Sequence, residues 1–209
     1  MNSAHSFLFA ALVAVTAACS SSYTSSGSQP DAGGTPDSSP GTDASTDGGF
    51  DFTFANSGSN VGLADFKVAP VMGSFCQGTS PKQCSFTGSI TTSSTGCTSI
   101  LNVAFVGDLK AGTSFPVVSD IPTAPGKGLV SYTETCNAGT TKRWTATGGT
   151  ITLDGVTPPA QGFATGTLSL SVAGATMAVS TDAAGGGTAQ GTFSISGKAT
   201  NVGYTSPSG

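Results

Sequence analysis

The stretch Gly149-Thr150-Ile151-Thr152-Leu153 (GTITL) recurs with little change as GTLSL at 166–170 and GTFSI at 191–195, and more weakly as GSITT at 88–92. In the three close copies, apolar side chains stand two residues apart with Thr or Ser between them. Because successive side chains of a β-strand point to opposite faces, this period of two predicts strands with one buried and one wet face. The unequal spacing of the copies excludes a regular solenoid or propeller and favours repeated hairpins with Gly at each strand entry.

The same alternation continues through the chain from residue 50 onward. Further apolar positions two residues apart are Phe86, Gly88 and Ile90; Leu101, Val103 and Phe105; Val130 and Tyr132; and Leu168, Leu170 and Val172. The stretch Phe66–Phe75 is apolar enough to predict a central strand. No segment has the i, i+3, i+4, i+7 apolar pattern of a helix, so crossover helices for a parallel sheet are lacking. The sequence therefore predicts an antiparallel β-sandwich of about eight to ten strands, with a closed antiparallel barrel as the alternative.

Three segments of this region resemble segments of uncharacterised lipoprotein β-domains. They are Gly112-Thr113-Ser114-Phe115-Pro116-Val117, the block that runs from Tyr132 through Trp144 to GTITL, and Gly191-Thr192-Phe193-Ser194. The resemblance implies an all-β fold and a cell-surface address. It implies no activity and no catalytic residues.

An apolar run from Phe7 to Ala18 ends at Cys19, after which the chain becomes polar. Such a run is too short to span a bilayer but has the length of the apolar region of a secretory signal. The small pair Ala17-Ala18 before Cys19 resembles the lipobox of bacterial lipoproteins. That resemblance implies a signal peptide at residues 1–18 and lipidation of Cys19 as the mature N-terminus. The alternative is an ordinary signal peptide that is cleaved after Ala18.

The lipobox resemblance also implies a firm attachment to a membrane. One acyl chain holds a protein only marginally, whereas two or more make the attachment stable, and lipoproteins of this type carry a diacylglyceryl group. Ser20 after the cysteine implies, by the same analogy, the outer membrane. We therefore expect a lipid-anchored protein of the bacterial envelope, with its folded part on the periplasmic or extracellular side.

Composition and charge distinguish a predicted tether from a predicted folded domain. Residues 19–49 contain the lipidated cysteine and then mostly Ser, Thr, Gly, Pro, Asp and Ala, a composition that predicts a disordered linker. Residues 50–209 form the predicted all-β domain, in which seven acidic residues balance seven basic ones. Without a basic patch there is no electrostatic basis for nucleic-acid binding, and we expect no nucleic-acid partner.

The five cysteines are Cys19, Cys76, Cys84, Cys97 and Cys136. In an exported protein an odd cysteine needs its own explanation, and lipidation of Cys19 leaves four that can form two disulfides. We favour Cys76–Cys84, which closes a polar loop, and Cys97–Cys136, which joins two predicted strand ends. The other connectivities of four cysteines remain open at this stage.

The only histidine, His5, lies in the predicted signal. The predicted domain therefore has no Ser-His-Asp or Cys-His arrangement and no histidine-bearing zinc site, and we predict no catalytic residue, metal or cofactor. Carboxylate chemistry is what remains. Glu134 and an Asp could act together as in a glycosidase, or Glu134 could be an exposed partner of Lys142 or Arg143 across a hairpin. The candidate acids beside Glu134 are Asp65, Asp108, Asp120, Asp154 and Asp182.

Two aromatic residues, Trp144 and Tyr132, are the candidates for a ligand site, because exposed aromatic rings on a sandwich can stack on sugars. The alternative is that Trp144 anchors the core. Three hypotheses follow for the function. The preferred one is a non-catalytic envelope lipoprotein with a structural or protein-interaction role; the others are a glycan- or ligand-binding module and, less favoured, a carboxylate hydrolase.

Overall fold

The structure is a computed structural model that describes residues 49–68, 74–78, 81–92, 96–136, 140–160, 165–180 and 188–206. The predicted signal peptide, Cys19 and all but the last residue of the predicted tether lie outside these ranges, as does Asp182. Eleven strands occupy the described residues: β1 (Gly49–Ser57), β2 (Asp65–Val68), β3 (Ser74–Gln77), β4 (Lys82–Thr92), β5 (Cys97–Gly107), β6 (Ser114–Pro116), β7 (Lys127–Thr135), β8 (Thr141–Ala146), β9 (Thr150–Thr157), β10 (Thr165–Val179) and β11 (Thr192–Thr205).

The prediction of an all-β sandwich is confirmed. The eleven strands form one hydrogen-bonded sheet in the order β2-β1-β11-β3-β4-β5-β7-β8-β10-β9-β6, and β10 also pairs with β11. This sheet folds over into the two layers of the sandwich, β2-β1-β11-β10-β9-β6 and β3-β4-β5-β7-β8, which are called its two sheets below. Every ladder between strands is antiparallel except the single parallel pair Thr205–Phe75 between β11 and β3. The described residues contain slightly more strands than the sequence predicted. The excess reflects very short strands such as β6, which are too brief to show an alternating pattern.

Strand β10 joins the two sheets at a corner. Residues 167–173 pair with β9 in the first sheet, whereas Met177, Ala178 and Val179 pair with β8 in the second. The pairing of β10 with β11 shifts register between Val172 and Ala175, and such bulges bend a strand and increase its twist. One long strand therefore serves both sheets, and together with the β3–β11 contact it closes a ring of strands.

The core lies between the two sheets and is rich in aromatic side chains. Phe54 of β1 packs edge-on against Tyr132 of β7 with ring centroids 5.1 Å apart, and Phe193 of β11 packs against Trp144 of β8 at 5.4 Å. All four rings are buried. These contacts cross from one sheet to the other, and burying such large rings is the main source of stability in a domain of this size.

Steric constraints explain why glycine stands at the start of the repeated GT motif. Gly149 has a φ of +115°, and a Cβ on it would lie 2.7 Å from the Cα of Ala175. Gly191 has a φ of +66°, and a Cβ there would overlap the carbonyl of Gly58. Only glycine adopts these conformations without strain, so the motif marks places where the chain turns into a strand against neighbouring backbone.

The predicted central strand over Phe66–Phe75 is wrong. Within the described residues this stretch contains the end of β2 and the start of β3, which belong to different sheets, and β2 is an edge strand. Lys67 on that edge forms long ion pairs with Asp51 and Asp65 at 4.0 and 3.7 Å. Exposed charges of this kind discourage the pairing of an edge with another chain.

Candidate functional site

Glu134 is a buried acid at the end of the core. On β7 the residues Val130, Tyr132 and Glu134 all face inward, and Glu134 retains only 2% of its surface exposed. Lys142 lies directly opposite it on β8, and its Nζ is 3.1 Å from Glu134 Oε2. Of the two partners that the sequence offered, Lys142 is the observed one, and the expectation of an exposed pair is wrong.

Four hydrogen bonds from three donor groups hold this ion pair in place. The backbone N–H of Gly62 donates to Glu134 Oε1 at 2.6 Å, and the Tyr132 hydroxyl donates to the same oxygen at 3.0 Å. Lys142 donates to Glu134 Oε2 at 3.1 Å and to the carbonyl of Asn60 at 2.8 Å. Both carboxylate oxygens are therefore engaged, as a buried charge requires.

The segment between β1 and β2 closes the site from the other sheet. Gly62 packs so closely that a Cβ on it would lie 3.1 Å from Glu134 Oε1. Asn60, two residues earlier, is itself fixed: its Nδ2 donates to the carbonyl of Thr188 at 2.7 Å, and its Oδ1 accepts from the N–H of Gln190 at 2.9 Å. The ion pair thus connects the β7–β8 hairpin to a loop more than 70 residues earlier in the chain.

A cavity of about 190 Å³ adjoins the pair and is lined by Gly62, Leu63, Thr92, Cys97, Ser99, Glu134 and Lys142. Ser99 is almost fully buried and hydrogen-bonds to Tyr132. Burial raises the pKa of the Tyr132 hydroxyl far above its ordinary value; the Ser99 hydrogen bond opposes that shift, and the negative Glu134 adds to it. Tyr132 therefore acts here as a neutral hydrogen-bond donor.

Glu134 is the only carboxylate among the described residues that line this cavity. The candidate acids Asp65, Asp108, Asp120 and Asp154 are all exposed at other places on the fold. A two-carboxylate mechanism needs two acids that face each other across roughly 5–10 Å, and the described part of the site supplies one. The described residues also contain no group of three or more His, Cys, Asp or Glu side chains that could hold a metal ion.

Trp144 and Tyr132 do not form a sugar-stacking face. Both rings have no measurable exposure and pack against each other at 6.0 Å between centroids. A ring stacks on a ligand only if one of its faces is accessible, so the ligand-binding hypothesis is wrong for these two residues. The alternative role in the core is the observed one.

The two disulfides are the pairs that the sequence favoured. Cys76–Cys84 links residues that lie directly opposite each other on β3 and β4. Cys97–Cys136 links the start of β5 to the residue that follows β7, and Cys97 also lines the Glu134 cavity. This second bridge therefore reinforces the end of the sheet that carries the buried ion pair.

Sequence reasoning missed three members of the site, Asn60, Gly62 and Ser99. The first two act through backbone atoms of a loop, which no side-chain pattern reveals. Ser99 had a weak signal, since it lies two residues before Leu101 on the inward face of β5. A polar residue at an inward position of an alternating strand indicates a buried hydrogen bond.

No protein-family model matches this chain, and neither a curated protein nor a solved structure matches it. The part of the chain that the structure describes contains no helix with the length and hydrophobicity needed to cross a membrane.

Proposed function

We propose that this protein is a non-catalytic lipoprotein of the bacterial envelope, which is anchored through Cys19 and displays its β-sandwich in a structural or protein-interaction role. The observation that carries the proposal is the pairing of the cysteines. The two disulfides use four of the five cysteines in the sequence, and the fifth is Cys19 at the end of the apolar run. An odd cysteine at a lipobox-like position is the expected attachment point for lipid.

Two features of the chain support export and display. Disulfides persist in oxidising compartments outside the cytoplasm and are rare inside it. The polar, Asp-bearing stretch after Cys19 has the composition of a flexible spacer, which would hold a folded domain away from a membrane. Together these features suit a domain that is displayed on a lipid anchor.

The surroundings of Glu134 support a role without catalysis. A general acid or nucleophile must reach its substrate, whereas both oxygens of Glu134 already accept hydrogen bonds within the protein. Its partner Lys142 is likewise engaged by Asn60. We infer that the cluster stabilises the end of the sandwich and does not carry out a reaction.

Metabolic labelling with a palmitate analogue tests the anchor. We expect the wild-type protein to incorporate label and to fractionate with membranes, and the Cys19→Ala variant to lose both properties. Ser22→Ala is the matched control, because it changes a nearby residue and leaves the cysteine in place. Label retained by Cys19→Ala would overturn the proposal.

A hydrolase screen tests the absence of catalysis. We expect the purified protein to release no reducing sugar from a panel of polysaccharides. Hydrolysis that is lost in Glu134→Gln, in a variant that still folds, would contradict the non-catalytic role.

A further inference from the structure

The outer face of the sheet β3-β4-β5-β7-β8 carries a groove of about 410 Å³, separate from the Glu134 cavity. The described residues contain four large apolar side chains that are exposed, and three of them line this groove: Phe75 at 42%, Ile100 at 36% and Ile121 at 72%. The fourth, Val179, directly precedes the lining residue Ser180. Exposed apolar side chains that converge on one concave surface indicate a binding site.

The rest of the groove is lined mainly by hydroxyl and amide groups, and one of these is held in a fixed orientation. Oδ1 of Asn102, in the middle of β5, accepts hydrogen bonds from the hydroxyls of Ser85 at 2.8 Å and Thr87 at 3.2 Å. Since its oxygen is engaged on both sides, the Nδ2 group is left as a donor for a ligand. Polar groups fixed in this way give a site specificity at little cost in side-chain entropy.

Arg143 on β8 is the only charged side chain among the described residues that line the groove. It is exposed and forms no ion pair within the described parts of the chain. Asp120 lies between the lining residues Ser119 and Ile121 but does not line the groove itself. Within the described residues the groove therefore offers one guanidinium without an ion-pair partner, and its planar fork of donors matches a carboxylate.

The floor of the groove excludes one common mode of peptide recognition. Its central strands β4, β5 and β7 pair along both edges, so their backbone N–H and C=O groups are already in ladders. A peptide that adds to a sheet as a strand needs a free edge. A ligand therefore contacts these three strands through their side chains.

We propose that this groove binds an acidic polysaccharide. A carboxylate of the ligand pairs with Arg143, the apolar face of a sugar ring lies on Phe75, and ring hydroxyls accept from Asn102 Nδ2. A saccharide combines the three chemistries that the groove presents, and the single positive charge selects an acidic one. The inference goes beyond the proposed display role by naming a ligand class, and the binding itself does not depend on the lipid.

Affinity electrophoresis of the purified full-length protein tests the proposal, with polygalacturonate as the acidic probe and dextran as the neutral one. The protein has a formal net charge of −4, so the non-specific electrostatic interaction with a polyanion is repulsive and cannot account for retardation. We expect retardation by polygalacturonate and none by dextran. Arg143→Gln should weaken binding about tenfold or more, since a charge-assisted hydrogen bond contributes about 1.5–3 kcal/mol. Phe75→Ala should also weaken it.

Lys67→Gln is the matched control, because it removes an exposed positive charge from the other sheet. It should leave binding unchanged, and thermal melts should show that all three variants fold. Equal retardation by both polymers, an equal loss in Lys67→Gln, or no retardation at all would overturn the proposal. So would a dimer in sedimentation that Phe75→Ala dissociates, because the groove would then bind a second copy. Arg143→Gln should still incorporate the palmitate label, because the substitution leaves Cys19 in place. A loss of polysaccharide binding in this variant is therefore distinct from a loss of the lipid anchor.

Discussion

Glu134 and Lys142 face each other on adjacent strands at the buried end of the sandwich, 3.1 Å apart, and between them they anchor the loop that holds Asn60 and Gly62. An ion pair in this position contributes little net stability when it is intact, because desolvation offsets the Coulomb attraction. Removal of only one of the two residues is strongly destabilising, since a buried charge is then left without its partner. Removal of one member of the pair should therefore destabilise this end of the domain.

Replacement of Glu134 by Gln should destabilise the domain by about 3 kcal/mol, the lower end of the range for breaking a buried pair. The lower end applies because the Lys142 side chain keeps 21% of its surface exposed and can reach water. Urea denaturation measures the change. The double variant Glu134→Gln/Lys142→Met should recover most of the loss. Asp51→Asn, which breaks an exposed pair, should cost less than about 1 kcal/mol. An equal loss of unfolding free energy in Glu134→Gln and Asp51→Asn would contradict the buried network.

Gly149→Ala should destabilise the domain by at least about 1–3 kcal/mol, the strain of a side chain at positive φ. Its Cβ would also lie against the backbone of Ala175. Gly148→Ala is the adjacent control, since its Cβ would meet no atom within 4 Å. The difference in thermal midpoint between the two variants is the measurement. Similar midpoints would show that the glycine of the GT motif has no steric role.

Removal of each disulfide should lower stability by an amount that depends on the loop it closes. For Cys97–Cys136, with a sequence separation of 39, the chain-entropy model gives about 4 kcal/mol. For Cys76–Cys84, with a separation of 8, it gives about 2.6 kcal/mol. Paired Cys→Ser variants measured in urea test both values. The reverse order would indicate that native contacts at the bridges outweigh the loop entropy.

Stability should fall at high pH because of Tyr132. Burial raises the pKa of this hydroxyl in the folded state, so its contribution is fully present below the unfolded pKa of about 10 and is lost progressively as the pH rises above it. Urea midpoints between pH 8 and 11 measure the effect. Tyr132→Phe should show a shallower decline above pH 10. Identical pH profiles for the two proteins would mean that Tyr132 ionises normally in the folded state.

Trp144 is the only tryptophan in the chain, and its Nε1 is buried without a hydrogen-bond partner in the described structure. Its emission should therefore lie to the blue of free tryptophan and should resist quenching by acrylamide until the domain unfolds. Addition of polygalacturonate should leave the emission unchanged, because the ring lies on the core side of β8 and the groove on the other. Ready quenching in the native state would contradict the buried position.

The sequence was sufficient to predict the strands whose alternation spans several residues, such as β5, β7 and β11. It favoured both observed disulfides without excluding the other pairings, because the choice among them depends on which strand ends meet in the fold. Short strands such as β2 and β3 were not predicted, since four residues carry too little periodicity. Pairing across the β7–β8 hairpin narrowed the partner of Glu134 to Lys142 or Arg143, because that contact is local, and the register of the two strands selects Lys142.

The burial of Glu134 could not be predicted, because it depends on a loop from the other sheet. The closing contacts of Asn60 and Gly62 come from backbone atoms more than 70 residues away, and side-chain patterns carry no information about them. Trp144 illustrates the same limit. Its inward position follows from the alternation on β8, but full burial requires that Phe193 of the opposite sheet covers it.

The mass of the N-terminal peptide of the mature protein, isolated from bacterial membranes, tests the central claim most directly. The proposal predicts a peptide that begins at Cys19 and carries the added mass of a diacylglyceryl group on the cysteine. Cleavage by an ordinary signal peptidase after Ala18 would give a peptide that begins at the same residue without that mass. An unmodified Cys19 peptide would therefore contradict the account of a lipid-anchored display domain.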